Sequence, residues 1–539
     1  MKNLNLSFFI PKRPFQGLLL FFKNYEVLCI LIFLSVLSIV TFTVNLQNGL
    51  GLSYNDARSH LDIGRRVVEG LKPGIAQLGS VWLPLPHILM IPTVWNDTMW
   101  HSGLSGALQS MISYVATGGI IYHYLKRLRV MILGRFTAIF VFATNLNVLY
   151  LQSTAMTELL LIATMTAAAY ELLVWWKSDN LLTLIRASFW VMMASLIRYD
   201  GWFLFLMVTL LVTIHTFKKF GYKAAEGKFL FFSTLGALGI ALWFLWNLLI
   251  FKDPLYFIYG PYSAYSQQLQ LSEAGNLETK GNILYSLKTY FYALAYNSNT
   301  LLLIFGIIGA IVFYLDKKVK VGIKFATTAL FAPLIFNILA LYLGQSVLFI
   351  QGLSGNTWFN VRYGVVMIPA ISIFIGYLIH KADKLKYVLI GLILMVSFFA
   401  YANYDAVTID DARVGSSQKN VSEVSGWLSE NAKDKPGFVL ISAASHDAII
   451  FSSGLPMSKF IHEGTGNYWL AATSQPERWA RFIIMRTHDN NDLTFKLISN
   501  RPGLVKYNLV GHYPFADIYE LRDEYLKTLN TKPTLGKQR

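Results

Sequence analysis

Long apolar runs separated by short polar links make up most of the chain, as far as about residue 403. Many of these runs reach about twenty residues, the length that a helix needs to cross a lipid bilayer. The pattern predicts a polytopic α-helical membrane protein with about eleven spanning helices. The predicted spans lie near residues 27–45, 104–123, 132–150, 157–176, 181–197, 202–216, 228–251, 299–315, 325–343, 363–380 and 387–403.

Lysine and arginine residues collect in the links between apolar runs, on every second connection. Such links usually face the cytoplasm. We therefore predict a cytoplasmic N-terminus and, after an odd number of spans, an extracytoplasmic C-terminal segment. The clusters are Lys126, Arg127 and Arg129; Lys218, Lys219, Lys223 and Lys228; Lys317, Lys318, Lys320 and Lys324; and Lys381, Lys384 and Lys386. The net charge of +16 thus indicates membrane topology and argues against a nucleic-acid partner.

The N-terminus has the features of an uncleaved signal anchor of a cell-membrane protein. Cations precede the first apolar run, and no small-residue cleavage site follows it. These cations are Lys2, Lys12, Arg13 and Lys23. The single cysteine, Cys29, excludes an intramolecular disulfide and a cysteine-based metal site.

The composition changes near residue 404, where polar residues become common and short apolar strands alternate with amphipathic helices. This alternation predicts a soluble C-terminal α/β domain. We expect strands at 438–442 and 482–485 and helices at 419–431 and 491–499. The chain then divides into a transmembrane domain, 1–403, and an extracytoplasmic domain, 404–539.

Three predicted outer segments stand out by their length: 46–103, 252–298 and 344–361. In the first, 59–71 carries apolar and charged side chains on opposite helical faces, which predicts a helix lying along the membrane interface. Its apolar face has Leu61, Gly64, Val68 and Leu71, and its polar face has Asp62, Arg65, Arg66 and Glu69. Pro84 and Pro86 then argue against a regular helix.

Asp56 and Glu158 are the acidic candidates for chemistry. Asp56 follows the first span, where Arg58 is close enough in sequence to neutralise it, and an exposed interfacial acid is the alternative. Glu158 begins a very apolar run, so its carboxylate is expected at membrane depth, although it also suits a helix N-terminus that Thr157 or Ser153 caps. Two outward acids on different loops are a plausible pair for activating a hydroxyl group.

Two arginines lie at the same predicted boundary. Arg198 is followed closely by Asp200, and a pair that only neutralises itself is the favoured interpretation. Arg362 begins a span without an acid beside it in the sequence. It either anchors the chain to lipid phosphates or clamps a substrate phosphate, and we favour the second because the acids lie on the same side.

The histidines do not follow a metal-binding pattern. His60, His87 and His101 share the first outer segment, but no HxH, HExxH or DxD spacing is present, so interfacial polar roles are favoured. In the C-terminal part, His446-Asp447 and His462-Glu463 are interpreted as surface residues, or at most as lining the acceptor side.

Short polar motifs recur at the predicted outer ends of the spans. They are NDAR at 55–58, GSVWLPLPH at 79–87, TE at 157–158, RYDGW at 198–202, and RY at 362–363 ahead of a span with Pro369. In these motifs, over roughly residues 27–380, the chain resembles the GT-C glycosyltransferase superfamily. It is similar to the branch with the protein O-mannosyltransferases and the aminoarabinose transferases of lipid A. The soluble tail also looks like those appended to such enzymes.

The resemblance implies the GT-C fold and a sugar donor carried on a polyprenyl phosphate. Asp56 is then the catalytic residue. Glu158, Arg58 and His87 orient acceptor or donor, and Arg362, Arg198 and Tyr363 receive the lipid phosphate. No cofactor is required by this resemblance. A divalent metal remains an open alternative that no motif indicates, because the DxD of the oligosaccharyltransferases is missing from the second outer loop.

The expected function is therefore transfer of a sugar to a glycan, lipid or protein acceptor on the extracytoplasmic face, by inverting displacement. A transporter or flippase of polyprenyl-linked sugars is the alternative. It would need charged residues within spans or broken helices in paired halves, whereas the polar residues here gather at span ends. A simple membrane anchor for the tail would hardly require so many spans.

Overall fold

The structure is a computed structural model, and it describes residues 25–260, 263–273, 277–415, 421–487, 489 and 492–534. The cations on which the predicted signal anchor depends precede residue 25 and lie outside the described residues. The described chain consists of a large helical bundle followed by a small domain that contains a β-sheet.

The helices are numbered in chain order. They are α1 Glu26–Gln47, α2 Asn55–Val68, α3 Leu85–Val94, α4 Asp97–His101, α5 Leu104–Arg127, α6 Ile132–Ala143, α7 Leu146–Leu151, α8 Glu158–Ser178, α9 Leu181–Ser195, α10 Asp200–Phe220, α11 Tyr222–Gly236, α12 Leu238–Phe251, α13 Tyr256–Tyr259, α14 Ala264–Glu273, α15 Ile283–Ser298, α16 Thr300–Leu315, α17 Val321–Thr327, α18 Ala332–Tyr342, α19 Ile368–Lys381, α20 Lys386–Ala402, α21 Val407–Val414, α22 Ser422–Asn431, α23 Ala443–Ser452, α24 Asn467–Ser474, α25 Pro476–Trp479 and α26 Leu493–Ile498.

Seven helical stretches of the described chain are long and apolar enough to cross a membrane, and two bent helix pairs raise the number to nine. The bent pairs are α11–α12, at 46°, and α15–α16, at 109°. The remaining two predicted spans, near 132–150 and 181–197, correspond to the shorter apolar helices α6 and α9. The chain is a multi-pass membrane protein, as its apolar pattern predicts.

The spanning helices differ in how deeply they lie in the bundle. In α1, only 17% of the apolar stretch is buried, and Phe33 and Ile39 are exposed on its surface. In the stretch Val361–Lys381, which ends with α19, 89% is buried. A helix that is apolar all round and packed on all sides belongs to a core, whereas exposed apolar surface on α1 suits contact with lipid.

The first outer segment folds differently from its prediction. Its helix, α2, begins at Asn55 rather than at residue 59, so Asp56 lies in the first helical turn. The side chains of Asp62, Arg65 and Arg66 are buried as well as Leu61, because Arg65 packs against α4 and Arg66 against the C-terminal domain. The charged face predicted for this helix is therefore a packing face within the protein.

Prolines also interrupt this segment less than predicted. The helix α3 begins at Leu85 with Pro86 in its first turn. Proline fits there because the first N–H groups of a helix have no acceptor within the helix. Within residues 82–87, only 82–84 lie outside a regular helix.

The C-terminal domain contains a five-stranded sheet in the order β2-β1-β3-β5-β4. Strands β2, β1 and β3 pair in parallel, and β5 and β4 extend the sheet in antiparallel fashion. The strands are β1 Phe438–Leu440, β2 Phe460–Ile461, β3 Ala480–Met485, β4 Tyr507–His512 and β5 Asp517–Leu521.

The predicted elements of this domain are present, although they are shorter or shifted. The strands expected at 438–442 and 482–485 correspond to β1 and β3, and the helices expected at 419–431 and 491–499 correspond to α22 and α26. Residues 419, 420 and 491 lie outside the described residues. The prediction of an α/β domain is confirmed.

Candidate active site

Three acidic residues from distant parts of the sequence lie at the starts of helices that converge. Asp56 is in the first turn of α2, Glu158 is the first residue of α8, and Asp200 is the first residue of α10. The N-terminus of a helix carries a partial positive charge that stabilises a carboxylate placed there. The fold therefore gathers carboxylates at the helix ends that favour them.

Arg362 joins two of these acids. It lies in the 3-10 helix Val361–Met367, and its Nη2 donates to Asp56 Oδ2 at 2.7 Å while its Nε donates to Glu158 Oε1 at 3.1 Å. The partners lie 306 and 204 positions away in the sequence. The expectation of an arginine without a compensating acid is therefore wrong, because the acids come from other loops.

Arg198 extends the same network. Its Nη1 donates to Glu158 Oε1 at 3.1 Å, and its Nε donates to Asp200 Oδ2 at 3.3 Å. The ring of Tyr363 lies against both guanidinium groups, with its centroid 4.7 Å from Arg198 and 5.5 Å from Arg362. The predicted Arg198–Asp200 pair is confirmed, but it does not merely neutralise itself, because Arg198 also holds Glu158.

Two buried atoms at the centre of the network have no hydrogen-bond partner among the described residues. They are Glu158 Oε2, an acceptor, and Arg362 Nη1, a donor. Glu158 and Arg362 are 0% and 4% exposed, whereas the side chain of Asp56 is 36% exposed. Leaving buried polar atoms unpaired is costly. Each of these atoms can therefore form a further hydrogen bond with a polar ligand.

Asp411 is a residue of this site that the sequence analysis missed. It lies in α21, fully buried, where its Oδ2 accepts a hydrogen bond from the Tyr54 hydroxyl at 3.0 Å and lies 3.9 Å from Arg362 Nη1. An acid soon after the last span, in a polar stretch, is typical of solvent exposure. The available signal was its helical face, since Asp411 follows the buried Val407 and Thr408 by four and three positions.

His60 and His87 form a neutral pair beside the site. His60 follows Asp56 by one turn of α2, its Nδ1 lies 2.8 Å from His87 Nε2, and its ring is 4.3 Å from that of Trp82. Burial, with the positive charges of Arg362 and Arg198, lowers the pKa of His60 to about 3. Burial also lowers the pKa of His87. Both rings are therefore uncharged near neutral pH.

Arg58 points away from Asp56. Its Nε donates to the carbonyl oxygen of Leu52 at 2.9 Å, and its Nη1 donates to Ser452 Oγ at 3.3 Å. Residues two positions apart on a helix do not face each other. The expectation that Arg58 neutralises Asp56 is therefore wrong, and Arg362 takes that place.

Tail residues that we interpreted as surface residues are buried where the C-terminal domain packs on α2. Arg66 Nη1 donates to Asp447 Oδ1 at 2.5 Å, and His446 Nε2 lies 2.9 Å from Asp492 Oδ2. Asp447 is 8% exposed and His446 is 1% exposed. We call Asp62, Arg66, His446, Asp447 and Asp492 the docking cluster.

Two further histidines of the sequence analysis also pack within the protein. His462 is 5% exposed, so its assignment to the surface is wrong too. The ring of His101 lies 4.2 Å from that of Trp100 and 5.6 Å from that of Phe451. His101 therefore contributes to the contact between the first outer segment and the C-terminal domain.

Metal ligation is not supported by the side chains of the described ranges. Among them, no group of three or more His, Cys, Asp or Glu residues is arranged to hold a metal ion. The acids of the site are instead engaged by Arg198 and Arg362. These residues do not fit a metal centre of the kind that a DxD motif provides.

No protein-family model matches the sequence, and no curated protein matches it. The crystal structure of ArnT from Cupriavidus metallidurans bound to undecaprenyl phosphate is similar, with a TM-score of 0.50 and 10% identity over 90% of this chain and 98% of that one. The archaeal oligosaccharyltransferase AglB from Archaeoglobus fulgidus, in complex with an inhibitory peptide and a dolichol phosphate, has a TM-score of 0.47 and 12% identity over 86% and 70%. The chain has the GT-C membrane fold that its sequence motifs predict.

Proposed function

We propose that this protein is an integral-membrane glycosyltransferase that moves a sugar from a polyprenyl-phosphate donor to an acceptor hydroxyl. The observation that carries the proposal is the ionic network of Asp56, Glu158 and Arg362, which is buried except at Asp56. The carboxylate of Asp56 is partly exposed and is paired with Arg362. Arg362 Nη1 and Glu158 Oε2, a buried donor and a buried acceptor, have no hydrogen-bond partner in the described chain. The fold shared with ArnT, crystallised with undecaprenyl phosphate, supports this choice.

In the proposed reaction, Asp56 is the general base. The acceptor hydroxyl attacks the anomeric carbon while Asp56 takes its proton, and the bond between that carbon and the phosphate oxygen breaks. The polyprenyl phosphate leaves with the electron pair of that bond. A single displacement inverts the configuration at the anomeric carbon, and no second carboxylate needs to act as a nucleophile.

In this proposal, Arg362 binds the phosphate of the leaving group. Its guanidinium already carries a donor atom without a hydrogen bond to the described chain, Nη1, which a phosphate oxygen would accept from. A carboxylate that is paired with arginine is a weaker base than a free one. Phosphate binding at Arg362 therefore loosens its hold on Asp56 and frees that carboxylate to take the proton. Arg198 adds positive charge for the phosphate as it leaves.

Glu158 positions the substrate. Its Oε1 is held by two arginines, and its Oε2 faces no donor of the described chain, so it is suited to accept a hydrogen bond from a sugar hydroxyl. His87 contributes indirectly, because it holds the ring of His60 through the hydrogen bond between them. The acceptor is a glycan, lipid or protein hydroxyl on the extracytoplasmic side of the cell membrane, and no cofactor is required.

Purified protein incubated with polyprenyl-phosphate sugars and an extract of membrane glycolipids tests the proposal. We expect release of free polyprenyl phosphate and appearance of the sugar on an acceptor. Asp56→Asn should lower the rate by roughly 10²–10⁴-fold, the contribution of a general base. Asp97→Asn is the matched control, because this acid of the same outer segment is 76% exposed.

The same assay separates transfer from transport. A flippase in sealed vesicles moves the donor across the membrane without breaking its sugar–phosphate bond. Movement of intact donor, with no polyprenyl phosphate released, would disprove the proposed transferase. Full activity of Asp56→Asn would show that Asp56 is not the general base, without contradicting the proposed transferase activity.

A further inference from the structure

Asp411 touches the active site from a segment that lies beyond the last predicted span. Its carboxylate accepts a hydrogen bond from Tyr54 and faces the guanidinium of Arg362. It is 0% exposed. A buried carboxylate at such a place needs compensation, and Tyr54 and Arg362 supply it.

Tyr54 links Asp411 to the start of the catalytic helix. It is the N-cap residue of α2 and precedes Asp56 by two positions. Its ring lies under the guanidinium of Arg362, with 4.8 Å between the ring centroid and Cζ. Asp411 thus holds the hydroxyl end of the ring on which Arg362 rests, and Arg362 in turn holds Asp56.

The position of Asp411 is itself set by the helical bundle. Asn147 Oδ1 accepts hydrogen bonds from the backbone N–H of Thr408, at 3.0 Å, and from its hydroxyl, at 2.8 Å. Asn147 belongs to α7, on the connection that leads to Glu158. These hydrogen bonds hold α21 against the helical bundle, so that Asp411 has a fixed position in the site.

We propose that Asp411 is a positioning residue that keeps Arg362 in the orientation from which it serves Asp56. This inference rests on the proposed function. A third carboxylate on Arg362 shares its positive charge, so that Arg362 does not draw Asp56 into a tighter pair. Removing that charge leaves Asp56 as a weaker base and releases the hydroxyl of Tyr54.

The groups that face Asp56 define what a pH experiment would report. Arg362 contacts it, His60 follows it by one helical turn, and Glu158, Arg198 and Asp411 surround Arg362. His60 is uncharged near neutral pH, since its pKa is about 3. A change of charge at Asp411 therefore reaches Asp56 chiefly through Arg362.

The test compares Asp411→Asn with the wild type in the transfer assay with polyprenyl-phosphate sugars. We expect kcat to fall roughly ten- to a hundredfold, as for a small misplacement of a catalytic group. We also expect KM for the donor to change little. The acid limb of the pH–rate profile should move to lower pH, because Asp56 is then a weaker base. Asp411→Glu should recover part of the rate, because it restores the charge.

Asp410→Asn is the matched control, because this acid is the neighbour of Asp411 on α21 but is exposed. It should leave the rate and the pH profile as in the wild type. If Asp411→Asn behaves like Asp410→Asn, or if it lowers the amount of folded protein without moving the pH profile, the positioning role is overturned and the transferase stands.

A double-mutant cycle tests the geometry without any substrate. Tyr54→Phe and Asp411→Ala are each expected to lower the Tm of the purified protein. The double variant should lose less than the sum of the two losses, because both substitutions remove the same hydrogen bond. Additive losses would overturn the inference even if the protein transfers sugar. A wild type that transfers no sugar while the cycle shows coupling would instead refute the proposed function and, with it, the catalytic part of this role.

Discussion

The helix α2 takes part in two buried ionic clusters of different character. Its first turn carries Asp56 into the candidate active site, and its middle carries Asp62 and Arg66 into the docking cluster beneath the C-terminal domain. In the docking cluster, the Arg66–Asp447 pair is closed, with side chains 10% and 8% exposed. In the site, the carboxylate of Asp56 is 36% exposed.

The difference shows that burial and ion pairing do not by themselves distinguish a reaction site from a structural contact. Both clusters pair arginine with aspartate. Both also hold buried polar atoms without a hydrogen-bond partner in the described chain, such as Glu158 Oε2 in the site and Arg66 Nε in the docking cluster. The site differs because it opens to solvent at Asp56. A network that opens to solvent at a carboxylate gives a ligand access to its polar groups, whereas an ion pair enclosed on both sides stabilises the packing of two domains.

Arg362→Met should have the largest effect of the substitutions that test this comparison, and it should lower both activity and stability. It leaves Glu158 and Asp411 buried without their shared cation, and removing one partner of a buried pair costs about 3–5 kcal/mol. Thermal unfolding of the purified protein should show a clearly lower Tm, and transfer should be abolished. A variant that folds normally and transfers sugar at the wild-type rate would contradict the assignment.

Asp447→Asn should separate the two clusters. Loss of the ion pair with Arg66 is expected to cost about 1–3 kcal/mol, because the amide still fills the space and accepts a hydrogen bond. Limited proteolysis should release the C-terminal domain sooner than in the wild type. Transfer per folded molecule should stay unchanged, and a selective loss of kcat would show that the docking cluster belongs to the catalytic machinery.

His60→Gln tests the neutral pair next to Asp56. The unfolded chain binds a proton at His60 with a pKa near 6.5 and the folded chain only at about 3, so acid weakens the wild type as pH falls below 6.5. The variant should lose part of this acid sensitivity in Tm measurements. Unchanged acid sensitivity would indicate that His60 takes up its proton readily in the folded state.

Asp62→Asn should have the smallest effect, and a favourable one. Burial, with the negative charge of Asp447, raises the pKa of Asp62 well above its usual range. The folded state therefore holds a proton that the unfolded state releases, and stability falls as pH rises above 3.8. We expect a higher Tm than the wild type at about pH 8 and no difference near pH 4. A lower Tm at both values would contradict this.

The membrane helices and the domain class were predictable because they depend on local pattern. Apolar runs of bilayer length identify spans without knowledge of their neighbours, and the strands at 438–442 and 482–485 are continuous apolar runs of a buried sheet. The strands β2, β4 and β5 were not predicted: β2 has two residues, most residues of β4 are exposed, and β5 contains two acidic residues, Asp517 and Glu520.

The site was predictable only in part. Asp56 and Glu158 stand out because each places a charge next to a long apolar run, where an acid needs a reason. Arg362 stands out for the same reason, but its partners do not, because they come from loops 204 and 306 positions away. Asp411 and the C-terminal members of the docking cluster, His446, Asp447 and Asp492, gave no such signal, since acids and histidines in a polar tail are usually exposed.

The amino-acid sequence by itself determined that this protein crosses a membrane, that an α/β domain follows, and that acids and arginines lie at the ends of its spans. These properties follow from hydrophobic patterning along the chain. Only the tertiary structure decided which charges meet: Asp56 with Arg362 rather than Arg58, and Arg66 with Asp447. Ion pairs depend on distances in space, and the sequence does not encode those distances locally.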